Sequence, residues 1–218
     1  APSRPWSLQL CHQSGAQCLK FLYQQILKRT FTVPFQKREE SLQPLASMDE
    51  IKKMLAVTRN PKHHLLISLL YATGVRCSEA IHIKLEHLNL AEKRLLVQQG
   101  KGKKDRYTIL SAALVQEIKD YLAKRLYHSP YLFASRDSHI CAKTVEEVLN
   151  QSRKKAGIST TITPHALRRS FATHHLDQKT RLEYIQYMMG HKDIRTTRAY
   201  QRITPLHLKQ VQSPHDSL

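Results

Sequence analysis

The stretch LLISLLYA, Leu65 to Ala72, constrains the fold of this chain more than any other. Wound as a helix it is apolar on every side, and such a helix lies inside a domain with other elements packed around it. Its limits are written beside it. Asn60 and Pro61 supply an N-cap and a first-turn proline, and Gly74 suits a left-handed C-cap. The following residues, GVRCSEA, carry Arg76 out of the buried helix at a tight turn, with Glu79 close behind. A charged pair is thereby delivered to the edge of an apolar core.

The remaining segments can wrap that helix. Leu19, Leu22, Tyr23, Ile26 and Leu27 recur at helical spacing and predict an amphipathic helix from Gln17 to about Lys28. PFQKREESLQP, Pro34 to Pro44, reads as a linker from its prolines and mixed charges. Ser47 and Glu50 form a capping box that opens a helix to about Val57. A further helix follows GVRCSEA. RLLVQQ, GKGKKD and RYTIL then read as strand, turn and strand, with Gly100 and Gly102 in the turn. Ser111 opens a helix to about Arg125, and others are predicted over about 143–156, 164–176, 180–189 and 194–201. The expected class is mainly α with a small antiparallel β-hairpin or sheet, and no internal repeat.

Charge narrows the function. Lys and Arg number 35 against 17 acidic residues, a formal net charge of +18. On a chain that is 41% hydrophobic, enough for a packed core, this surplus points to a polyanion, first of all nucleic acid. Cys11, Cys18, Cys77 and Cys141 show no CxxC pair and no metal-ligand spacing, and they read as reduced thiols. His63-His64 and His174-His175 likewise form no recognisable ligand set. No apolar run approaches the roughly 18 residues of a membrane span, and no signal peptide is recognised. The expected location is cytoplasmic, nucleoid-associated, without membrane contact.

The chemistry concentrates in TPHALRRSFATHHLDQKTRLEYIQYMMGHKDIRTTRAY, Thr163 to Tyr200. His165 and Arg168 share a helix face; Gly190-His191 follows, and then Tyr200. A guanidinium can hold a phosphate oxygen bidentately, an imidazole can move a proton, and a phenol can act as nucleophile. Together they suit attack on a phosphodiester. The plainer alternative is a basic helical DNA binder with surface histidines and a core tyrosine.

With Arg76 and the hairpin Lys101 added, four stretches stand in order: YATGVRCSEA, GKGKKDR, TPHALRRSFATHH and MMGHKDIRTTRAY. In these the chain resembles the tyrosine recombinase family of phage integrases, Xer-like resolvases and integron integrases. The resemblance covers residues 42–205 and implies a DNA strand transferase of mobile elements or of resolution. Such an enzyme cuts and rejoins DNA through a 3′-phosphotyrosine intermediate, catalysing integration, excision or resolution. By resemblance Arg76 and Arg168 clamp the non-bridging oxygens of the scissile phosphate. His165 assists proton removal, Lys101 is the general acid for the 5′ oxygen, His191 contacts a non-bridging oxygen, and Tyr200 is the nucleophile. Glu79 supports the first arginine. Lys103 and Lys104 remain alternative candidates for the lysine; with Arg106 and Arg169 they are otherwise read as DNA contacts.

The constellation holds no carboxylate cluster for Mg²⁺, so neither metal nor cofactor is expected. The expected organisation is 1–40 as a partial helical core-binding segment with its linker, 41–205 as the catalytic domain, and 206–218 as a tail for subunit contact. The short N-terminal segment implies either an N-terminally shortened piece or a minimal DNA clamp. The expected partner is a double-stranded recombination site, bound by a homo-oligomer, a tetramer on two sites. A type IB topoisomerase-like relaxing enzyme and a non-catalytic DNA-binding paralogue are the other readings.

Overall fold

The computed structural model describes residues 28, 45–98, 105–125, 128–135 and 138–190. Two compact units divide the chain, Ala1–Leu42 and Gln43–Leu218, and all elements below belong to the second. The helix expected from Gln17, the linker, the hairpin turn with Lys101, Lys103 and Lys104, and the C-terminal stretch with His191, Tyr200 and the tail lie outside the described residues.

Helix α1, Met48–Val57, starts on the anticipated capping box. Ser47 Oγ accepts from the Glu50 N–H, and the Glu50 carboxylate accepts from the Ser47 N–H. Helix α2, Pro61–Thr73, is capped by Asn60, whose Oδ1 accepts from the N–H groups of Lys62 and His63. It ends on Gly74 at φ 62°. A side chain there would be strained by the left-handed backbone. It would also drive its Cβ into the Phe171 ring, 2.8 Å from Cε1. Glycine is required twice over.

The helix expected after GVRCSEA is not found there: a short α3, Cys77–Ile81, starts within that stretch, and only a 3₁₀ turn, Leu85–His87, follows before the sheet. The sheet has three antiparallel strands in sequence order, β1 Leu88–Asn89, β2 Arg94–Val97 and β3 Arg106–Ile109. The first of them is an addition to the predicted hairpin. Leu95 pairs with Thr108 and Val97 with Arg106, so these four side chains share the sheet's inner face, and all four are buried. Helices α4 Ala112–Ala123, α5 Ala142–Lys155, α6 Pro164–Asp177 and α7 Leu182–Met189 complete the described elements. The architecture is mainly helical with a small antiparallel sheet, as expected from the sequence.

Helix α2 packs against α4, α6 and α5, and Leu65, Leu66, Ile67, Leu69 and Leu70 are at most 1% exposed. The all-round apolar run is therefore the centre of the main core, joined there by Ile51, Met54, Ile118, Phe133 and Leu149. A second, smaller cluster of Phe171, Ala172, Ile185, Met188 and Met189 binds α6 to α7. No helix among the described residues is long and apolar enough to cross a membrane.

Candidate active site

Four charged side chains gather where α2 ends, at Glu79. Arg76 is the N-cap of α3. Its backbone N–H donates to Glu79 Oε2 at 2.7 Å, and its Nη1 donates to Oε1 at 2.8 Å. From the sheet, Arg106 donates Nη1 to Oε1 at 3.0 Å and Nη2 to Oε2 at 2.7 Å, a forked pair. Arg168, from α6, brings Nη1 to 4.0 Å from Oε2. One carboxylate thus serves three guanidiniums.

The same three arginines close the end of α7. Arg106 Nε donates to the Met188 carbonyl at 2.7 Å, Arg168 Nη2 to that of Met189 at 2.5 Å, and Arg76 Nη2 to that of Gly190 at 3.4 Å. Carbonyls at a helix C-terminus lack intrahelical donors and sit at the negative end of the helix dipole. Cationic donors suit them on both counts. Gly190, at φ 66°, ends the helix; the next residue is His191. Arg168 also donates Nη1 to the Gly74 carbonyl at 2.6 Å. The glycine that ends α2 and the helix end that precedes His191 are therefore bridged by one guanidinium.

Burial separates the members of this seam. The Arg76 side chain keeps 40% of its surface exposed, whereas Glu79 keeps 10%, Arg168 4% and Arg106 3%. Burial alone would raise the Glu79 pKa. The hydrogen bonds from the Arg106 side chain and the Arg76 N–H, the Arg106 charge and the Arg76 side chain outweigh it and hold the carboxyl at about 2. His165, on the first turn of α6 and exposed, has its pKa lowered by desolvation, then by the charges of Arg169 and Arg168. Both causes favour the neutral imidazole, the form that can accept a proton. A cleft beside Glu79 is lined by His82, Lys84, His87, Gln98, Asp105 and Tyr131; Gln98 and Asp105 flank the hairpin turn.

The structure brings Arg76, Glu79 and Arg168 together, with Arg168, the expected second arm of the phosphate clamp, 4% exposed and donating to the Gly74 and Met189 carbonyls. It sets His165 three residues before Arg168 on the same helix, with Arg169 beside Arg168. One assignment is corrected. Arg106 was expected to contact DNA, but its guanidinium is 3% exposed and committed to Glu79 and Met188. Its role is internal. The missed signal was weak: an arginine at the start of a strand, on the face shared with Thr108, reads as a surface charge unless its acceptors are known.

The profile of the phage integrase family matches residues 46–207. The chain belongs to this family. Within it, the chain is 38% identical over 178 residues to a tyrosine recombinase XerA of Pyrococcus horikoshii, covering 80% of this chain and 62% of that protein. It is 40% identical over 168 residues to the XerA of Pyrococcus furiosus, covering 74% and 58%. A crystal structure of XerA recombinase superposes with a TM-score of 0.71 at 30% identity, over 88% of this chain and 71% of that one. XerH site-specific recombinase bound to its difH substrate, in a pre-cleavage complex, gives a TM-score of 0.65 at 25% identity, over 78% and 53%. The phage integrase chain described here spans about three-fifths of the length of the two Pyrococcus relatives.

Proposed function

We propose that residues 41–205 form the catalytic domain of a site-specific DNA recombinase that works through a 3′-phosphotyrosine intermediate. The observation that carries this reading is the convergence of Arg76 and Arg168 on Glu79 and on the helix end that leads into His191. Three guanidiniums against one carboxylate leave a positive surplus, in a partly buried site where electrostatic interactions are strengthened. A phosphodiester gains negative charge as it becomes pentacoordinate, and a preorganised positive field lowers that barrier.

In the cleavage step the Tyr200 oxygen attacks phosphorus and the bond to the 5′ oxygen breaks. Neutral His165 assists removal of the phenolic proton, and Lys101, or else Lys103 or Lys104, gives a proton to the departing 5′ oxygen. Arg76, the exposed member of the seam, meets a non-bridging oxygen. Arg168 adds its charge from the floor of the site, and His191 contacts the remaining oxygen. The new phosphotyrosine ester resembles in energy the bond it replaced, so a 5′ hydroxyl can reverse the step without ATP. Lys103, Lys104 and Arg169 are read as DNA contacts.

That the relatives are Xer recombinases favours strand exchange over supercoil relaxation. XerH binds a DNA substrate, which supports double-stranded DNA as the partner here. Exchange between two sites requires four strand cuts, hence a homo-oligomer, a tetramer on two sites, with residues 206–218 as a subunit contact and 1–40 as part of a DNA clamp. Such a protein works beside its DNA, in the cytoplasm. The test is a suicide duplex run on a denaturing gel. The wild-type chain should form a covalent protein–DNA band, and Tyr200→Phe should abolish it while leaving DNA binding nearly intact. A band that survives in Tyr200→Phe removes Tyr200 as nucleophile.

A further inference from the structure

We propose that Arg106 is a positioning residue for strand cleavage, joining the carboxylate that orients Arg76 to the helix end that leads into His191. The inference rests on the recombinase reading. Arg106 opens β3, just beyond the hairpin that carries Lys101, Lys103 and Lys104. Its two Nη atoms each take a different oxygen of Glu79, at 3.0 and 2.7 Å, and its Nε takes the Met188 carbonyl at 2.7 Å. The guanidinium plane therefore fixes Glu79 in one orientation relative to α7.

What Glu79 does with that orientation is visible at Arg76. Both the backbone N–H and the Nη1 of Arg76 donate to it, and Arg76 is the seam member whose side chain remains 40% exposed. An exposed arginine has many rotamers, and the buried carboxylate selects among them. The order runs from β3 to Glu79 to Arg76, with Met188, Met189 and Gly190 each held by a different guanidinium of the set.

Two other roles fit less well. A DNA contact needs exposure, and Arg106 has 3%. A plain stability role is a poor use of a buried guanidinium, because an apolar residue at a buried ion-pair site is often as stable or more so. The planar fork is what this position uses, and lysine, a single point of charge, cannot span the two Glu79 oxygens and a carbonyl together.

The experiment is single-turnover cleavage by the full chain, on a nicked duplex carrying the sequence that the wild-type protein protects in footprinting. Arg106→Lys should lower the cleavage rate constant at saturating DNA by about 10–100-fold, the scale of a small misplacement of a reacting group. The DNA Kd, its salt slope and the final extent of cleavage should stay near wild type. Glu79→Gln/Arg106→Gln, which removes both charges together, should be no slower than Glu79→Gln, because Arg106 acts through Glu79. That pair keeps the question answerable if Arg106→Lys does not fold. A wild-type rate constant in Arg106→Lys overturns the inference. So does weaker binding with a salt slope reduced by about 1, the mark of a lost phosphate contact. A lower extent of cleavage at an unchanged rate constant would leave Arg106 a folding residue only, and a double variant slower than Glu79→Gln would break the proposed order. A wild-type chain that forms no adduct overturns the recombinase reading itself, a result separate from all of these.

Discussion

Along α2, Leu65, Leu66, Ile67, Leu69 and Leu70 lie in the main core at 1% exposure or less. Just past the end of that helix Glu79, Arg106 and Arg168 are nearly as well covered, at 10%, 3% and 4% of their side-chain surface, yet all are charged. The two regions meet at Gly74, whose backbone ends the apolar helix and whose carbonyl accepts from Arg168. They share depth and differ in what depth requires. Apolar burial is non-directional and scales with area, so the core depends on volume and tolerates exchange of shape. Buried charge is tolerable only with partners at defined angles and distances, so the seam depends on identity. An isosteric change that the core would absorb should disable the seam.

Truncating the core tests this most severely. Leu69→Ala, at a fully buried site, should lower unfolding stability by about 2–5 kcal/mol in denaturant titration. The cleavage rate constant of the folded fraction should be unchanged; a lowered one would show that the core tunes the site directly. Arg76→Ala is the converse case. Cleavage should fall by about 10²–10³-fold, as when a charge-stabilising donor is removed. Stability should change far less than for Leu69→Ala, because this side chain is the exposed one. Equal losses of stability in the two variants would erase the distinction.

Acid should act on the seam and spare the core. Glu79 has its pKa lowered from 4.5 to about 2, so its folded-state charge is stabilising wherever the unfolded carboxyl is ionised. That contribution, on the order of 3 kcal/mol, is complete above about pH 4.5 and is lost as pH falls toward 2. Glu79→Gln lacks it at every pH. The stability gap between wild type and Glu79→Gln should be constant near neutrality and close on acidification; a gap that widens in acid would refute the assignment. The smallest effect is expected from Leu69→Met, a near volume-conserving exchange costing less than about 1.5 kcal/mol and leaving cleavage unaltered.

The sequence made the apolar region easier to read than the seam. Leu65–Ala72 announces burial by composition alone, and Asn60, Pro61, Gly74 and the Ser47–Glu50 box mark helix ends through contacts a few residues long. Strand β1, Leu88–Asn89, is too short to show a period. In RYTIL, apolar alternation would turn Tyr107 and Ile109 inward. The structure leaves them 46% and 45% exposed and buries Arg106 and Thr108, because their polar atoms have partners inside: Glu79 and Met188 for one, the Thr73 carbonyl for the other. The pairing of Arg76 with Glu79 was legible through their spacing of three residues. The work of Arg106 was not, since its acceptor on α7 is 82 residues away and is a backbone carbonyl, which no side-chain pattern reveals.

The closure of α7 by three arginines also orders the making of the protein. Arg76 and its acceptor Gly190 are 114 residues apart in the chain. A ribosome adding about 5–20 residues per second leaves that arginine waiting roughly 6–23 s for its carbonyl. In the interval Glu79 can pair with Arg76 locally and then with Arg106 once the sheet is synthesised, but the helix end they share does not yet exist. A nascent chain therefore carries its positive charge long before the three arginines share a helix end, and the last turn of α7 is the piece whose arrival closes that seam.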